Sequence, residues 1–271
     1  TLVGAQADDI LKGGSGPSSL DGGTGNDSLV GKDGSDTLVG GDGSDTLVGG
    51  QGSDSYVFDP VQVPAVPPEH DLIEEAGSPA GSDVDTITFA NLGATTPVTV
   101  NLDTAFLCGS ITVDVACHAD RAISMRATSP AAIEQVIGGQ GNDVITGSSA
   151  AGSNGAERLE GGPGNDNLTG GDRDDTLVGG DGNDTLAGGR DNDTYLFADV
   201  SAAAPVETDQ LGELAGQGSD IFDFAALSAA VGVSVDLGSS STIASHTKRT
   251  ITAQGGTVVE IETVVGGNGN D

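Results

Sequence analysis

Large apolar residues return every nine positions along much of this chain, each in a polar, glycine-rich frame. In residues 4–57 they are Leu11, Leu20, Leu29, Leu38, Leu47 and Tyr56; in residues 138–196 they are Ile145, Leu159, Leu168, Leu177, Leu186 and Tyr195. That beat fits neither a helix, with a period of about 3.6, nor one long strand, with a period of about 2. Aligned on it, the first run reads "GAQADDILK" (4–12), "GGSGPSSLD", "GGTGNDSLV", "GKDGSDTLV", "GGDGSDTLV" and "GGQGSDSYV" (49–57). The second reads "GGQGNDVIT" (138–146), an inserted "GSSAA", then "GSNGAERLE" (152–160), "GGPGNDNLT", "GGDRDDTLV", "GGDGNDTLA" and "GGRDNDTYL" (188–196).

The consensus is G-G-x-G-x-D-x-U-x, with U large and apolar. Glycine costs about 1 kcal/mol against alanine in a helix, so the "GGxGxD" half is a tight turn with positive φ and exposed carbonyls. The "xUx" half predicts a three-residue strand with one inward side chain. One unit buries nothing alone, so units must stack, with Leu29, Leu38, Leu47 and Tyr56 as rungs of a thin shared core. Two repeats close one coil, so repeat n lies on n+2. The fold class predicted is all-β: a parallel β-roll of nonapeptide repeats in two runs, separated by β-rich intervening segments.

Nine lysines and arginines face 41 acidic residues, a formal net charge of −32 that opposes compaction and argues against nucleic acid or anionic lipid as partners. Stacking brings like charges together: Asp27 with Asp45, Asp36 with Asp54, Asp166 with Asp184, Asp175 with Asp193. A hard divalent cation held by carboxylates and backbone carbonyls removes that repulsion, and oxygen-only ligation favours calcium.

These nonapeptides resemble the calcium-binding repeats of the RTX (repeats-in-toxin, haemolysin-type) family. The resemblance implies a β-roll in which the earlier turn supplies the carbonyls of positions 2 and 4 and the position-6 aspartate. The later turn supplies the carbonyls of positions 1 and 3 and its own aspartate. Carried onto this chain, one site is Gly23, Gly25 and Asp27 with Gly40, Asp42 and Asp45; the next is Lys32, Gly34 and Asp36 with Gly49, Gln51 and Asp54. In the second run the sets are Gly162, Gly164 and Asp166 with Gly179, Asp181 and Asp184, and Gly171, Arg173 and Asp175 with Gly188, Arg190 and Asp193. Further pairings are Asp9 with Asp27, and Asp143, with Gly139 and Gly141, with Asp166; Asp271 opens another set. Ser18 stands where an aspartate is expected, leaving the site it shares with Asp36 weak or empty. Glu157 holds the same position and is expected to reach toward a calcium shared with Asp175. The resemblance also implies export of the unfolded chain through a dedicated bacterial exporter, with folding on external calcium.

Each run closes on an aromatic couple, Tyr56 with Phe58 and Tyr195 with Phe197, expected to plug an open roll end; a sugar platform is the alternative. Residues 59–137 and 198–265 lose the beat but resemble each other: "VTVNLDTA" parallels "VSVDLGSS", and "IEQVIGGQGND" parallels "IETVVGGNGND". Their alternation predicts strands with one buried face, and "VQVPAVPPEH" (61–70) a proline-rich connector. The larger unit is thus about 130 residues, with rolls at 4–58, 138–197 and, truncated, 266–271. Both ends suggest a piece of a longer polypeptide. Cys108 and Cys117, in "LCGSITVDVACH", are either bridged across a hairpin in an oxidising compartment or two unpaired small hydrophobes.

No apolar run reaches the roughly 18 residues of a membrane span. His70, His118 and His246 are scattered, read as solvated loop residues, and form no H-E-x-x-H; there is no G-x-S-x-G elbow. The chain is therefore read as a non-enzyme: a structural or adhesive calcium-binding segment of a large secreted or cell-surface bacterial protein. Its partners would be calcium and other copies or neighbouring repeats, assembling into a fibre or surface layer. The alternative is the secretion-and-folding module of an exported exoenzyme or toxin.

Overall fold

The computed structural model describes residues 1–60, 69–74, 83–93, 96–102, 106–108, 111–113, 116–118, 121–125, 133–148, 156–199, 206–212, 218–228, 234–235, 242–246, 249–253, 261 and 263–266. Among them there is no helix. Strands form an 11-stranded sheet, a 14-stranded sheet and a small hairpin of two strands.

The nine-residue beat sends successive repeats to opposite sheets, so each strand pairs in parallel with the strand two repeats on. Leu20 lies beside Leu38, and Leu38 beside Tyr56, in one sheet. Leu29 lies beside Leu47 in the other. The strands are longer than the predicted three residues: Thr37–Asp42 spans six and runs on through the next pair of glycines. Those glycines are in register too, Gly23 with Gly41, so their amides and carbonyls pair with the neighbouring coil.

Stacking does not stop where the nonapeptides stop. Ser55–Val57 is followed in the sheet by Thr86–Thr88, then Gln135–Ile137, then Arg158–Pro163, which begins the second ladder. The inward column Leu20, Leu38, Tyr56, Ile87, Val136, Leu159, Leu177, Tyr195 and Phe222 is fully buried along its length. In the facing sheet Thr46–Gln51 passes to Glu69–Glu74, which pairs in parallel with Arg121–Met125. The antiparallel strands Ala116–His118 and Thr99–Asn101 then lead to Val144–Thr146, which stacks directly on Asn167–Asp172.

Three expectations are corrected. The aromatic couples do not cap an open end: Phe58 stacks on Phe89 at 5.4 Å and Phe197 on Phe224 at 5.1 Å, because the intervening segments supply the next rungs. Their burial also removes the sugar-platform alternative. The histidines lie on strands, Glu69–Glu74, Ala116–His118 and Thr242–His246. The cysteine segment turns back on itself between Phe106–Cys108 and Ile111–Val113, whereas Cys117 belongs to a strand of the 14-stranded sheet. Most of the proline-rich connector, residues 149–155 and Asp271 lie outside the described residues.

Candidate metal centre

One step of the ladder, Asp166 on Asp184, shows how the turns are built. The position-6 aspartate follows the turn and precedes an inward leucine, so the pleat sends its carboxylate inward beneath its own turn. Asp184 Oδ1 accepts the amide of Asp166 at 2.9 Å, and Asp166 Oδ1 accepts the amide of Asp143 at 2.7 Å. The same bond joins Asp27 to Asp45 (2.7 Å), Asp36 to Asp54 (2.8 Å), Asp175 to Asp193 (2.8 Å), Asp9 to Asp27 (2.7 Å) and Glu157 to Asp175 (2.8 Å). Every carboxylate pair expected from the beat is therefore brought together.

The second oxygen is what bears on a metal. Oδ2 of Asp27, Asp36, Asp166, Asp175, Asp184 and Asp193, and Oε2 of Glu157, are buried with no hydrogen-bond partner. A buried carboxylate oxygen left so is costly unless a cation meets it. The space beside it has a defined shape. A Cβ at Gly22 would lie 2.3 Å from Asp27 Oδ2 and 2.5 Å from the carbonyl oxygen of Gly40; at Gly161 it would lie 2.3 Å from Asp166 Oδ2 and 2.7 Å from Gly179 O. Position 1 must be glycine because a carboxylate from the same repeat and a carbonyl from two repeats on converge over it. These hard oxygen donors fit calcium. Among the described residues no three His, Cys, Asp or Glu side chains group as a metal site.

Electrostatics agree with the geometry. Burial, reinforced by the neighbouring carboxylates, pushes Asp166 and Asp184 up to about 7 and Asp193 up to about 8. Burial likewise raises Asp27 and Asp143 above the usual carboxylate range. Metal-free, this ladder holds charge that its surroundings do not accommodate.

The remaining predicted residues are placed as follows. The carbonyls of Asp42, Gln51 and Asp181 accept the amides of Gly25, Gly34 and Gly164, so positions 3 and 4 of stacked turns face each other. A Cβ at Gly52 would lie 2.6 Å from Gly34 O, at Gly162 2.5 Å from Gly139 O and at Gly171 2.6 Å from Ser148 O, so these carbonyls aim at the following coil. Gly141, Gly164, Gly23 and Gly25 point the same way, at Gly164, Gly182, Gly41 and Gly43. Gly49 O and Gly188 O lie over Gly31 and Gly170, next to Asp36 and Asp175. Lys32 and Arg173 hold the left-handed backbone otherwise taken by glycine, with φ of 90° and 94°. Arg190 ion-pairs with Asp172 at 3.4 Å on the surface. Ser18 closes on its own turn, its hydroxyl donating to Gly16 O at 3.1 Å, and brings no charge. In the first turn of each run the second oxygen is satisfied locally: Asp9 Oδ2 accepts the Ala5 amide and Asp143 Oδ2 the Gly139 amide.

Sequence reasoning missed the ladder's continuation. Asp45 donates its amide to Asp71, Asp54 to Asp85, Asp184 to Asp209 and Asp193 to Asp220, and Asp85 to Glu134. Each acceptor stands two residues before an inward apolar side chain, as in "DLI", "DTI", "DQL", "DIF" and "EQV". The acidic-x-apolar triplet was the available signal, preceded by glycines at the repeat spacing only before Asp220, in "GQGSD".

The model of the RTX calcium-binding nonapeptide repeat family matches residues 3–38, 21–56, 132–151, 152–172 and 160–195. No curated protein matches the chain. A crystal structure of extracellular lipase LipA from Serratia marcescens is similar at 19% identity and a TM-score of 0.34, over 96% of this chain and 40% of that one. This chain thus spans 40% of the length of that structure. Repeats of this family bind several calcium ions and are typical of secreted bacterial proteins. With a glycine turn, an inward carboxylate and an inward leucine repeating in both runs, residues 3–56 and 132–195 of this chain are RTX calcium-binding nonapeptide repeats.

Proposed function

We propose that each step of the ladder is a calcium site made from the two carboxylates and the turn carbonyls predicted above, and that calcium folds the chain. The observation that carries this is the row of buried carboxylate oxygens without partners, those of Asp27, Asp36, Asp166 and Asp175 lying beside a carbonyl of the next coil. The chain's own residues orient the ion, exclude water from one side of it and cancel its charge; the ion supplies the attraction that holds like-charged coils together. If about eight sites fill, formal charge moves by about +16. Sites of extracellular type bind at about 0.1–1 mM, so the ladder is empty in a cytosol and full outside.

We assign the folded chain a structural or adhesive role in a secreted or cell-surface bacterial protein, with no catalysis of its own. The described residues, having no helix, contain none long and apolar enough to cross a membrane. Supporting the structural role is the duplication: in both units an acidic strand (Glu69–Glu74, Glu207–Leu211) joins one sheet, a second (Thr86–Thr88, Ile221–Asp223) joins the other, and a hairpin strand returns to the first. Repeated units suit a long scaffold. The test is scattering of the chain on calcium addition: reversible growth into large species supports assembly, while a compact monomer at every calcium concentration removes the fibre or layer reading.

A further inference from the structure

One ladder step is built differently. It joins the turn that precedes Thr185–Arg190 to the strand Glu207–Leu211, and no glycine stands in residues 198–206 of the sequence ahead of that strand. Glu207 takes over part of its work: Glu207 Oε2 accepts the Gly182 amide at 2.8 Å, the bond that a position-3 carbonyl accepts from Gly25, Gly34 and Gly164 elsewhere. Asp209 takes the position-6 role, its Oδ1 accepting the amide of Asp184 at 3.1 Å.

Into this step comes a cation belonging to the chain. Arg249 is only 3% exposed, and its guanidinium donates to Glu207 Oε1, lies 3.0 Å from Asp209 Oδ2, and donates to the carbonyl of Gly180. Gly180 holds position 2 of its repeat, whose carbonyl in regular steps faces the next coil. Phe197, the second member of the aromatic couple, lies under the guanidinium at 5.8 Å. Asp209 Oδ2, the oxygen corresponding to those left unpartnered at Asp166, Asp175 and Asp193, is thus met by nitrogen, while Asp184 Oδ2 accepts no hydrogen bond and has the guanidinium only as a nearby positive charge.

We propose that the Arg249 guanidinium occupies the cation position of the step between the turn at 179–184 and Glu207–Leu211, so that this step needs no calcium. The inference rests on the ladder reading above. A planar guanidinium with fixed donors suits two carboxylates and a carbonyl, carries one charge, and remains attached at any calcium concentration. One guanidinium charge offsets part of the charge of Asp184, Glu207 and Asp209, so the step is held at any calcium concentration and calcium can fill the ladder from it toward Asp166.

The arrangement recurs in the sequence. Arg249 follows "SHTK" and pairs in register with Glu207; Arg121 follows "CHAD" and pairs in register with Glu69, two residues before Asp71. Glu-x-Asp on one strand, with His-x-x-Arg-x-Ile returning in parallel beside it, is thus a second motif laid over the nonapeptides.

The test is an anomalous difference map from calcium-loaded crystals of the full chain, with calcium counts for wild type and Arg249→Gln. The proposal expects ions between Asp166 and Asp184 and between Asp175 and Asp193, none between Asp184 and Asp209, and one additional ion in Arg249→Gln. A wild-type ion between Asp184 and Asp209 overturns it, as does an unchanged count in a folded Arg249→Gln. If that variant does not fold, the wild-type map alone decides. A map with no ion anywhere in the second run sinks the ladder reading itself, which separates the two failures.

Discussion

Replacing Asp166 by Asn changes the ladder in two opposite ways. Asp166 is buried, its Oδ1 accepts the Asp143 amide, its own amide donates to Asp184, and it borders two steps. An amide keeps both hydrogen bonds but removes one charge from each step. In the metal-free chain that removal is favourable. Burial raises the carboxyl from 3.8 to about 7. The protonated form's advantage is complete below the unfolded pKa and is lost as pH rises through the folded one. At about 1.4 kcal/mol per pKa unit, the ionised side chain costs up to about 4 kcal/mol at pH 8, and asparagine escapes that cost. With calcium present the sign reverses. Losing one charged ligand from each of two sites, at about tenfold in affinity apiece, costs about 3 kcal/mol. Circular dichroism of Asp166→Asn should therefore show β structure surviving to higher pH in chelator, while the calcium midpoint at pH 7.5 moves up about tenfold. A variant that shifts neither midpoint, or that folds at lower calcium than wild type, would refute the reasoning.

Other outcomes follow from the same geometry. In chelator the wild-type chain should gain β structure as pH falls from about 8 to 5, because protons on Asp184 (raised to about 7) and Asp193 (raised to about 8) replace calcium; a gain with rising pH has the wrong sign. Gly161→Ala places a methyl against Asp166 Oδ2 and should lower the calcium count by at least one ion in equilibrium dialysis. Arg173→Gly relieves a φ of 94° and should raise unfolding free energy in saturating calcium by about 1 kcal/mol, read by urea denaturation. Leu177→Ala empties a fully buried rung and should cost about 2–5 kcal/mol in the same assay.

Much of this was legible because the repeat is short and regular. A glycine turn, a carboxylate and one leucine per nine residues leave few folds, and the pairing of Asp27 with Asp45 follows from counting. What the beat concealed was continuity. The intervening segments lose the nine-residue beat, so counting in nines does not reach Asp71, Asp85, Asp209 and Asp220, yet they stand in the same ladder. The aromatic couples misled for the same reason: a cap is needed only where rungs end, and Ile87 and Phe222 continue the column past Tyr56 and Tyr195. Arg249 could not be placed, because its partner Glu207 lies 42 residues away and only the parallel register brings them together.

The most direct test of calcium-driven folding is a calcium titration of the metal-free chain, followed by far-ultraviolet circular dichroism and solution size, with magnesium as control. The account predicts a cooperative gain of β structure with compaction, specific to calcium and centred at about 0.1–1 mM. A chain already folded in chelator at neutral pH, or indifferent to calcium, would contradict it.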